Sequence, residues 1–252
     1  MTALAFSLFS IGGLCLSVFI FPWLNILPTH NGLRKKIARR CIQRTFKIFV
    51  NFMCVSGIMS LTVKGIDSLK NAKGVLVLAN HPTLIDVVVI ISYMPFANCV
   101  VKSKLWDNFF LGGVVRAAGY IRNDDSSEML INDCKNSLHK DEPLVIFPEG
   151  TRSVKGQELR FLRGAAHIAL ASQVPIVPVI LHCDPPTLSK AERWYHIPSH
   201  RFHFSLEVKS VVTISTLVRD TTTSLASRRL TEALTHYFNY ALAEEKVQNE
   251  YT

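Results

Sequence analysis

Short apolar segments alternate with helix-like segments over most of this 252-residue chain, and this alternation is its strongest constraint on the fold. We predict strands at residues 60–65, 74–80, 97–102, 119–122, 143–147, 175–181 and 204–212. We predict helices at residues 83–94, 104–117, 125–139, 162–172 and 222–246. Strands that are joined by helical crossovers run mainly parallel to one another. The sequence therefore predicts an α/β fold, with a mostly parallel mixed sheet flanked by helices.

The N-terminal part of the chain differs from the rest in hydropathy. Residues 3–27 are uncharged and mostly apolar, and about 20 such residues can span a bilayer. Pro22 and the Gly12-Gly13 pair are equally compatible with a re-entrant or interfacial position, and a buried core helix is a further alternative. Residues 33–55 have the amphipathic pattern of a helix in the membrane interface, or of one packed on a folded domain. We expect residues 1–56 to form a membrane-associating helical segment and residues 57–252 to form the α/β domain.

Charge is also unevenly distributed. The first 66 residues hold eight of the 28 Lys and Arg residues and none of the 19 Asp and Glu residues, so the net charge of +9 belongs to the N-terminal region. Basic residues beside an apolar segment suggest an anionic membrane surface as partner, and no nucleic-acid-binding motif accompanies them. Cations placed after the apolar segment predict that the α/β domain lies on the cytoplasmic side of the inner (cytoplasmic) membrane.

The most informative motif is Asn80–Asp86, directly after the apolar run 74–79. A His and an Asp five residues apart can serve as a general base and the carboxylate that orients it. Alternatively, Thr83-x-x-Asp86 is a helix capping box, and the two roles can coexist. Because no G-x-S-x-G nucleophile elbow is present, the pair favours direct transfer, in which His81 takes a proton from the substrate's own hydroxyl.

A second polar motif, Phe147–Ser153, follows the apolar run 143–147. Arg152 is suited to bidentate binding of phosphate or carboxylate, and Gly150 allows the backbone to approach a ligand closely. The alternative is a simple turn with a surface ion pair between Glu149 and Arg152.

These motifs, in this order and each after a strand, resemble those of the glycerolipid acyltransferases, the family of the lysophosphatidate acyltransferases. The resemblance covers roughly residues 60 to 215 and rests on four blocks at Asn80–Asp86, Gly119–Arg122, Phe147–Ser153 and Val174–Val179. It implies a membrane-associated O-acyltransferase in which His81 is the general base and Asp86 its partner. The residues that would hold the acceptor near its phosphate are Glu149, Gly150, Thr151 and Arg152. We expect acyl-CoA or acyl carrier protein as co-substrate, a membrane lipid as acceptor, and no other cofactor.

One block departs from the family pattern. An Arg about six residues after the Gly is linked to phosphate binding in the phosphatidate-forming members, and this chain has Asp125 there. Arg122 lies three residues earlier, and a shift of three along a strand reverses the side-chain direction. We therefore keep Arg122 as a candidate substrate contact, together with Lys102, which can attract the phosphates of coenzyme A or the acidic face of a carrier protein. The departure resembles the branch that acylates other lipids, such as ornithine-type or polyene lipids, or else it is a tolerated loop variation.

Other features favour no further site. His196, His200 and His203 have metal-ligand spacing, but no Cys or acidic residue stands close to them, so we predict no metal. The six cysteines have neither zinc-knuckle nor CxxC spacing and are expected to be free thiols. The rival functions are a non-catalytic membrane-surface lipid-binding protein and a lipid hydrolase, and the missing nucleophile elbow argues against the hydrolase.

Overall fold

The computed structural model describes residues 11–15, 18, 31–123, 127–154, 156–189, 200–214 and 223–250. Its strands are β1 (Met59–Lys64), β2 (Leu76–Ala79), β3 (Asn98–Lys102), β4 (Ile121–Asn123), β5 (Leu144–Ile146), β6 (Ile176–Asp184) and β7 (Phe202–Val208). Its helices are α1 (Asn31–Val55), α2 (Asp67–Lys70), α3 (Asp86–Ser92), α4 (Ser103–Trp106), α5 (Gly112–Ala118), α6 (Ser127–Leu138), α7 (Arg163–Ser172) and α8 (Thr223–Glu250). Residues 11–15 are also helical.

All seven strands form one sheet, in the order β1-β7-β6-β2-β5-β3-β4. Every neighbouring pair is parallel except β6 and β7, which are antiparallel, so β1 and β7 run against the other five strands. The predicted α/β fold, with its mostly parallel mixed sheet, is confirmed.

Helices cover both faces of the sheet. The central strand β2 shows why: all four of its residues are buried, with Val77 and Ala79 in one core and Leu76 and Leu78 in the other. Such a strand is apolar on both sides and must be covered on both. Helices α1, α3 and α5 contribute to the first core, and α6, α7 and α8 contribute to the second.

Helix α1 packs on the α/β domain, which is the second of the two roles its pattern allowed. Ala38, Ile42, Val50 and Met53 are buried. The buried face also carries Arg39, which is only 2% exposed.

Arg39 ties α1 to the sheet by charge as well as by packing. Its Nε donates to the Ala118 carbonyl at 2.9 Å, and its Nη1 lies 3.1 Å from Glu142 Oε1. Partial burial acts to raise the pKa of Glu142, but a hydrogen bond from Ser137 and the Arg39 charge outweigh it and lower that pKa. One of the eight N-terminal cations is therefore a structural residue.

The membrane-spanning alternative for residues 3–27 falls mainly outside the described residues. Among the helices that the structure describes, none combines the length and hydropathy needed to cross a bilayer. Membrane association of residues 1–56, and a domain boundary after residue 56, stay predictions.

The helix predicted at 104–117 is two helices, α4 and α5, separated by a loop. The Asn108 side chain accepts hydrogen bonds from the amides of Phe110 and Leu111, at 2.9 and 3.0 Å, and these bonds compete with helix continuation. A side chain at Gly112 would collide with the Trp106 carbonyl, so this position needs glycine.

Candidate active site

The two sequence motifs meet because of the strands that precede them. Strands β2 and β5 are parallel neighbours, with Leu76 beside Leu144 and Leu78 beside Ile146. The segments that leave their carboxyl ends therefore emerge at the same edge of the sheet, where ligands bind in open α/β folds.

His81 and Asp86 form a direct pair. His81 Nδ1 lies 2.6 Å from Asp86 Oδ2, and the Asp86 side chain is fully buried. Asp86 also accepts hydrogen bonds from the amide and the hydroxyl of Thr83. Helix α3 begins at Asp86 and its N-cap is Ile85, so Thr83 and Asp86 do not form the capping box that the sequence allowed. Burial raises the pKa of the Asp86 carboxyl, whereas the hydrogen bonds from His81 and Thr83 act to lower it.

This pairing determines the tautomer of the imidazole. The fully buried Asp86 carboxylate can only accept, so Nδ1 of His81 carries the hydrogen and donates it to that hydrogen bond, which leaves Nε2 as the ring atom able to take a proton. The imidazole is also stacked on the Phe147 ring, with centroids 4.3 Å apart. The His81 side chain is 21% exposed. The arrangement has the parts of a general base: an oriented ring, a buried anion behind it and an accessible nitrogen.

Glu149 holds the main chain of His81. Its Oε1 accepts hydrogen bonds from the His81 amide at 2.8 Å and from the Ser153 hydroxyl at 2.9 Å. The Ser153 amide in turn donates to the His81 carbonyl at 2.7 Å. Burial raises the pKa of Glu149, and the hydrogen bond from the His81 amide opposes that rise. Residues Glu149 and Ser153 of the second motif thus fix the main chain of His81 in the first motif.

His81 lines a cavity of about 540 Å³. Strands β3 and β5 pair only at Asn98–Leu144 and Cys99–Val145, so they separate toward their carboxyl ends. The cavity lies at this separation, and its wall includes the apolar residues Leu84, Val87, Val100, Val101, Leu105, Ile146, Leu162 and Ile168. An apolar space that reaches a basic imidazole suits a lipid chain with a hydroxyl at one end.

Four predicted substrate contacts line the same cavity: Lys102, Gly150, Thr151 and Arg152. Gly150 has a φ of +65°, and a side chain there would meet Leu162. Arg152 Nη1 donates to the carbonyls of Leu188 and Ser189, both at 2.8 Å. Nη1 of Arg152 therefore binds the main chain at residues 188–189.

Arg122 does not join this site. It lines a separate cavity, beside Lys35, Arg39 and Asp133, and its Nη2 lies 3.7 Å from Asp107 Oδ2. The next residue, Asn123, lines the cavity of His81. Arg122 therefore lies apart from His81, and its contact with substrate stays a prediction. Asp125 lies outside the described residues.

Several supporting residues were not predicted as part of the site. They are Thr83, Phe147, Ser153 and Asn80. The Asn80 side chain exchanges two hydrogen bonds of 2.8 Å with the main chain of Leu181 and so fixes the end of β2 to β6. Their common signal is a small polar or aromatic residue inside a motif that directly follows a buried strand.

The structure gives no support to a metal centre. Among the residues it describes, no three His, Cys, Asp or Glu side chains are placed to hold one ion. His203 Nδ1 instead lies 2.9 Å from the Ser60 hydroxyl, and His196 falls outside the described part of the chain.

Comparison with known proteins agrees with this geometry. The Acyltransferase family model matches residues 60–182. A 1-acyl-sn-glycerol-3-phosphate acyltransferase of Helicobacter pylori is 36% identical over 112 residues, which are 42% of this chain and 47% of that protein. The 1-acyl-sn-glycerol-3-phosphate acyltransferase alpha of Mus musculus is 31% identical over 144 residues, which are 54% and 50% of the two chains. The chain thus spans about half the length of these curated relatives.

The fold has a solved counterpart. The crystal structure of the 1-acyl-sn-glycerophosphate (LPA) acyltransferase of Thermotoga maritima aligns with a TM-score of 0.73, covering 98% of both chains at 18% identity. At this identity the likeness concerns the fold, whereas the family match concerns the sequence that carries both motifs. Residues 60–182, which carry both motifs, therefore match the Acyltransferase family model in sequence.

Proposed function

We propose that this protein is a membrane-associated O-acyltransferase that moves a fatty acyl group from an acyl thioester to the hydroxyl of a lysophosphatidate-type lysolipid. His81 Nε2 takes the proton of the acceptor hydroxyl while that oxygen attacks the thioester carbonyl. A C–O bond forms, the C–S bond breaks, and the departing thiolate recovers the proton from His81. Asp86 stabilises the imidazolium formed in between.

The observation that carries this proposal is the 2.6 Å contact between His81 Nδ1 and the fully buried Asp86. It provides a base that is oriented and electrostatically supported, beside a largely apolar cavity. The names of the curated relatives supply the lysophosphatidate-type acceptor.

The donor and the location are parts of the same proposal. Acyl-CoA or acyl carrier protein would provide the thioester, with Lys102 at the rim to attract its negative charge. The cations of the N-terminal region would place the protein at the cytoplasmic face of the inner membrane.

A second acceptor class is favoured by the positions of the arginines. Arg122 lines a separate cavity, and Arg152 donates through Nη1 to two main-chain carbonyls. Binding of an acceptor phosphate would therefore depend on Lys102 and on the remaining donors of Arg152. A lysolipid without a phosphate, such as an ornithine-type lipid, would need less positive charge.

The test is acyl transfer by the purified, detergent-solubilised protein, with labelled acyl-CoA or acyl carrier protein as donor. Lysophosphatidate and a non-phosphate lysolipid would compete as acceptors. We expect label in phosphatidate for the wild type and for His203→Ala, and none for His81→Ala. His203 is a suitable control because it is a half-buried histidine paired with Ser60.

Each result has a distinct meaning. Label that enters only the non-phosphate lipid would show that this lipid, and not lysophosphatidate, is the acceptor, while the acyl-transfer chemistry stands. Turnover that survives in His81→Ala would refute the base. Lipid binding without any turnover would favour the non-catalytic alternative.

A further inference from the structure

The loop between α4 and α5, residues 107–111, exposes two aromatic side chains. Phe109 is 77% exposed and Phe110 is 42% exposed, and their rings meet edge to face with centroids 5.3 Å apart. A phenylalanine buries about 150–250 Å² when it is covered, so two exposed neighbours form a substantial apolar patch. We name residues 107–111 the phenylalanine loop.

The loop is held in place by its own polar contacts. Asn108 accepts hydrogen bonds from the two amides that follow, and its carbonyl accepts the Gly112 amide at 2.8 Å. Arg116 Nη1 donates to the Trp106 carbonyl at 2.6 Å. The phenylalanines are thus presented by an ordered turn.

The patch continues into the apolar N-terminal stretch. Gly13 is buried, and a side chain there would lie 2.8 Å from Leu111 Cδ2. Helical residues 11–15 therefore pack directly on the phenylalanine loop, and they leave Ile11 55% exposed. Two segments that are distant in sequence form one apolar surface.

The surrounding charge selects the partner. The helices that flank the loop carry the exposed cations Lys104 and Arg116, and Asp107 within the loop lies 3.7 Å from Arg122. Helix α1, which shares a core with α5, carries seven cations and no acidic residue. An apolar patch with basic residues beside it matches a bilayer of anionic lipids, in which the apolar groups enter below the headgroups.

We propose that the phenylalanine loop inserts into an anionic lipid surface and docks the protein next to its acyl cavity. Lys102 and Leu105 line that cavity and directly precede the loop, so docking would bring the cavity close to the membrane lipids. This inference rests on the proposed function, because it assumes that the substrate is a membrane lipid.

Sedimentation with vesicles tests the docking on the full chain. The double variant Phe109→Ser/Phe110→Ser is compared with Tyr240→Ser, which removes a 58% exposed aromatic from the C-terminal helix. With vesicles of phosphatidylcholine and phosphatidylglycerol, we expect the double variant to lose affinity by a factor on the order of ten for each phenylalanine. The control variant is expected to bind like the wild type. Equal binding by all three proteins, together with no lipid quenching at position 109 in the experiment below, would overturn the proposal.

A local probe covers the case in which the N-terminal segment dominates sedimentation. Phe109→Trp and Tyr240→Trp each add one indole, and vesicles with brominated acyl chains quench indoles that enter the bilayer. We expect lipid quenching of the emission added at position 109 and not of that added at 240. Absence of quenching at 109 would refute insertion.

Acyl transfer in detergent micelles separates this inference from the proposed function. The double serine variant is expected to retain micellar turnover, since neither phenylalanine lines the cavity of His81. A wild-type protein that has no acyltransferase activity but still inserts the loop would refute the proposed function and support the membrane docking.

Discussion

Replacing Asp86 with Asn separates the charge of this residue from its hydrogen bonds. Asp86 Oδ2 accepts both the Thr83 amide, at 2.8 Å, and His81 Nδ1. The Thr83 amide can only donate, so it requires an acceptor at this position. An Asn would therefore place its carbonyl there and its amide group toward the Thr83 hydroxyl. The tautomer of His81 is retained, and only the negative charge is lost.

The expected loss can be worked from the geometry. The imidazolium formed during transfer and the Asp86 carboxylate would lie about 4 Å apart, which corresponds to about 4 kcal/mol at an effective dielectric constant near 20. A change of this size in the transition-state free energy lowers kcat by a factor of roughly 10³. We expect Asp86→Asn to show this loss with little change in KM.

Asp86→Asn should not lower the stability of the fold at neutral pH, although it lowers the activity. Burial raises the pKa of Asp86, so its ionised form is disfavoured in the folded protein. This cost is absent below the ordinary carboxyl pKa and grows as the pH rises through the folded pKa. At neutral pH, Asp86→Asn is therefore expected to unfold at an equal or higher urea concentration than the wild type, and this difference should disappear in acid.

Steady-state kinetics and urea unfolding at two pH values check both halves of the argument. Turnover within tenfold of the wild type would refute the charge role of Asp86. A marked loss of stability at neutral pH would show that the Asn cannot adopt the inferred orientation. Asp86→Ala is the contrasting variant, because it leaves the Thr83 amide buried without its acceptor.

Further substitutions test the supporting structure. Glu149→Gln keeps an acceptor for the His81 amide and should retain most turnover, whereas Glu149→Ala should lose on the order of 10²-fold by misplacing the base; equal kinetics would contradict this role of Glu149. Gly150→Ala should lower the free energy of unfolding by about 1–2 kcal/mol because the φ of this residue is +65°. Adding Leu162→Ala to this variant should remove the steric contact with the new methyl group but not the backbone strain. Urea titration measures both effects, and a Gly150→Ala variant as stable as the wild type would contradict the prediction. Glu142→Gln should destabilise the fold at neutral pH but not in acid, since the lowered pKa of Glu142 gives stability that is lost as the pH falls through it; parallel unfolding curves at both pH values would refute the ion pair's role.

Periodicity in the sequence predicted all seven strands of the sheet because each of them has at least one buried apolar residue, including the partly exposed β1 and β4. It failed at the phenylalanine loop, where the helix predicted at 104–117 is broken. The apolar pattern there is compatible with a helix, but the amides of Phe110 and Leu111 donate to the Asn108 side chain and not to the main-chain carbonyls that would extend the helix. It also left the location of α1 open, because one amphipathic stripe suits a membrane interface and a protein core equally well.

For the site, the sequence by itself predicted the pair of His81 and Asp86, and the short turn from His81 to Asp86, the first residue of α3, brings the two side chains together. Only the tertiary structure decided that Glu149, 68 residues later, holds the main chain of His81. It also decided that Arg122 faces a different cavity. Local spacing fixes contacts within one turn, whereas contacts between segments depend on which strands are neighbours and on the direction of each side chain. Here the parallel pairing of β2 with β5 brings the two motifs to one edge of the sheet, whereas Arg122, on the edge strand β4, lines a different cavity.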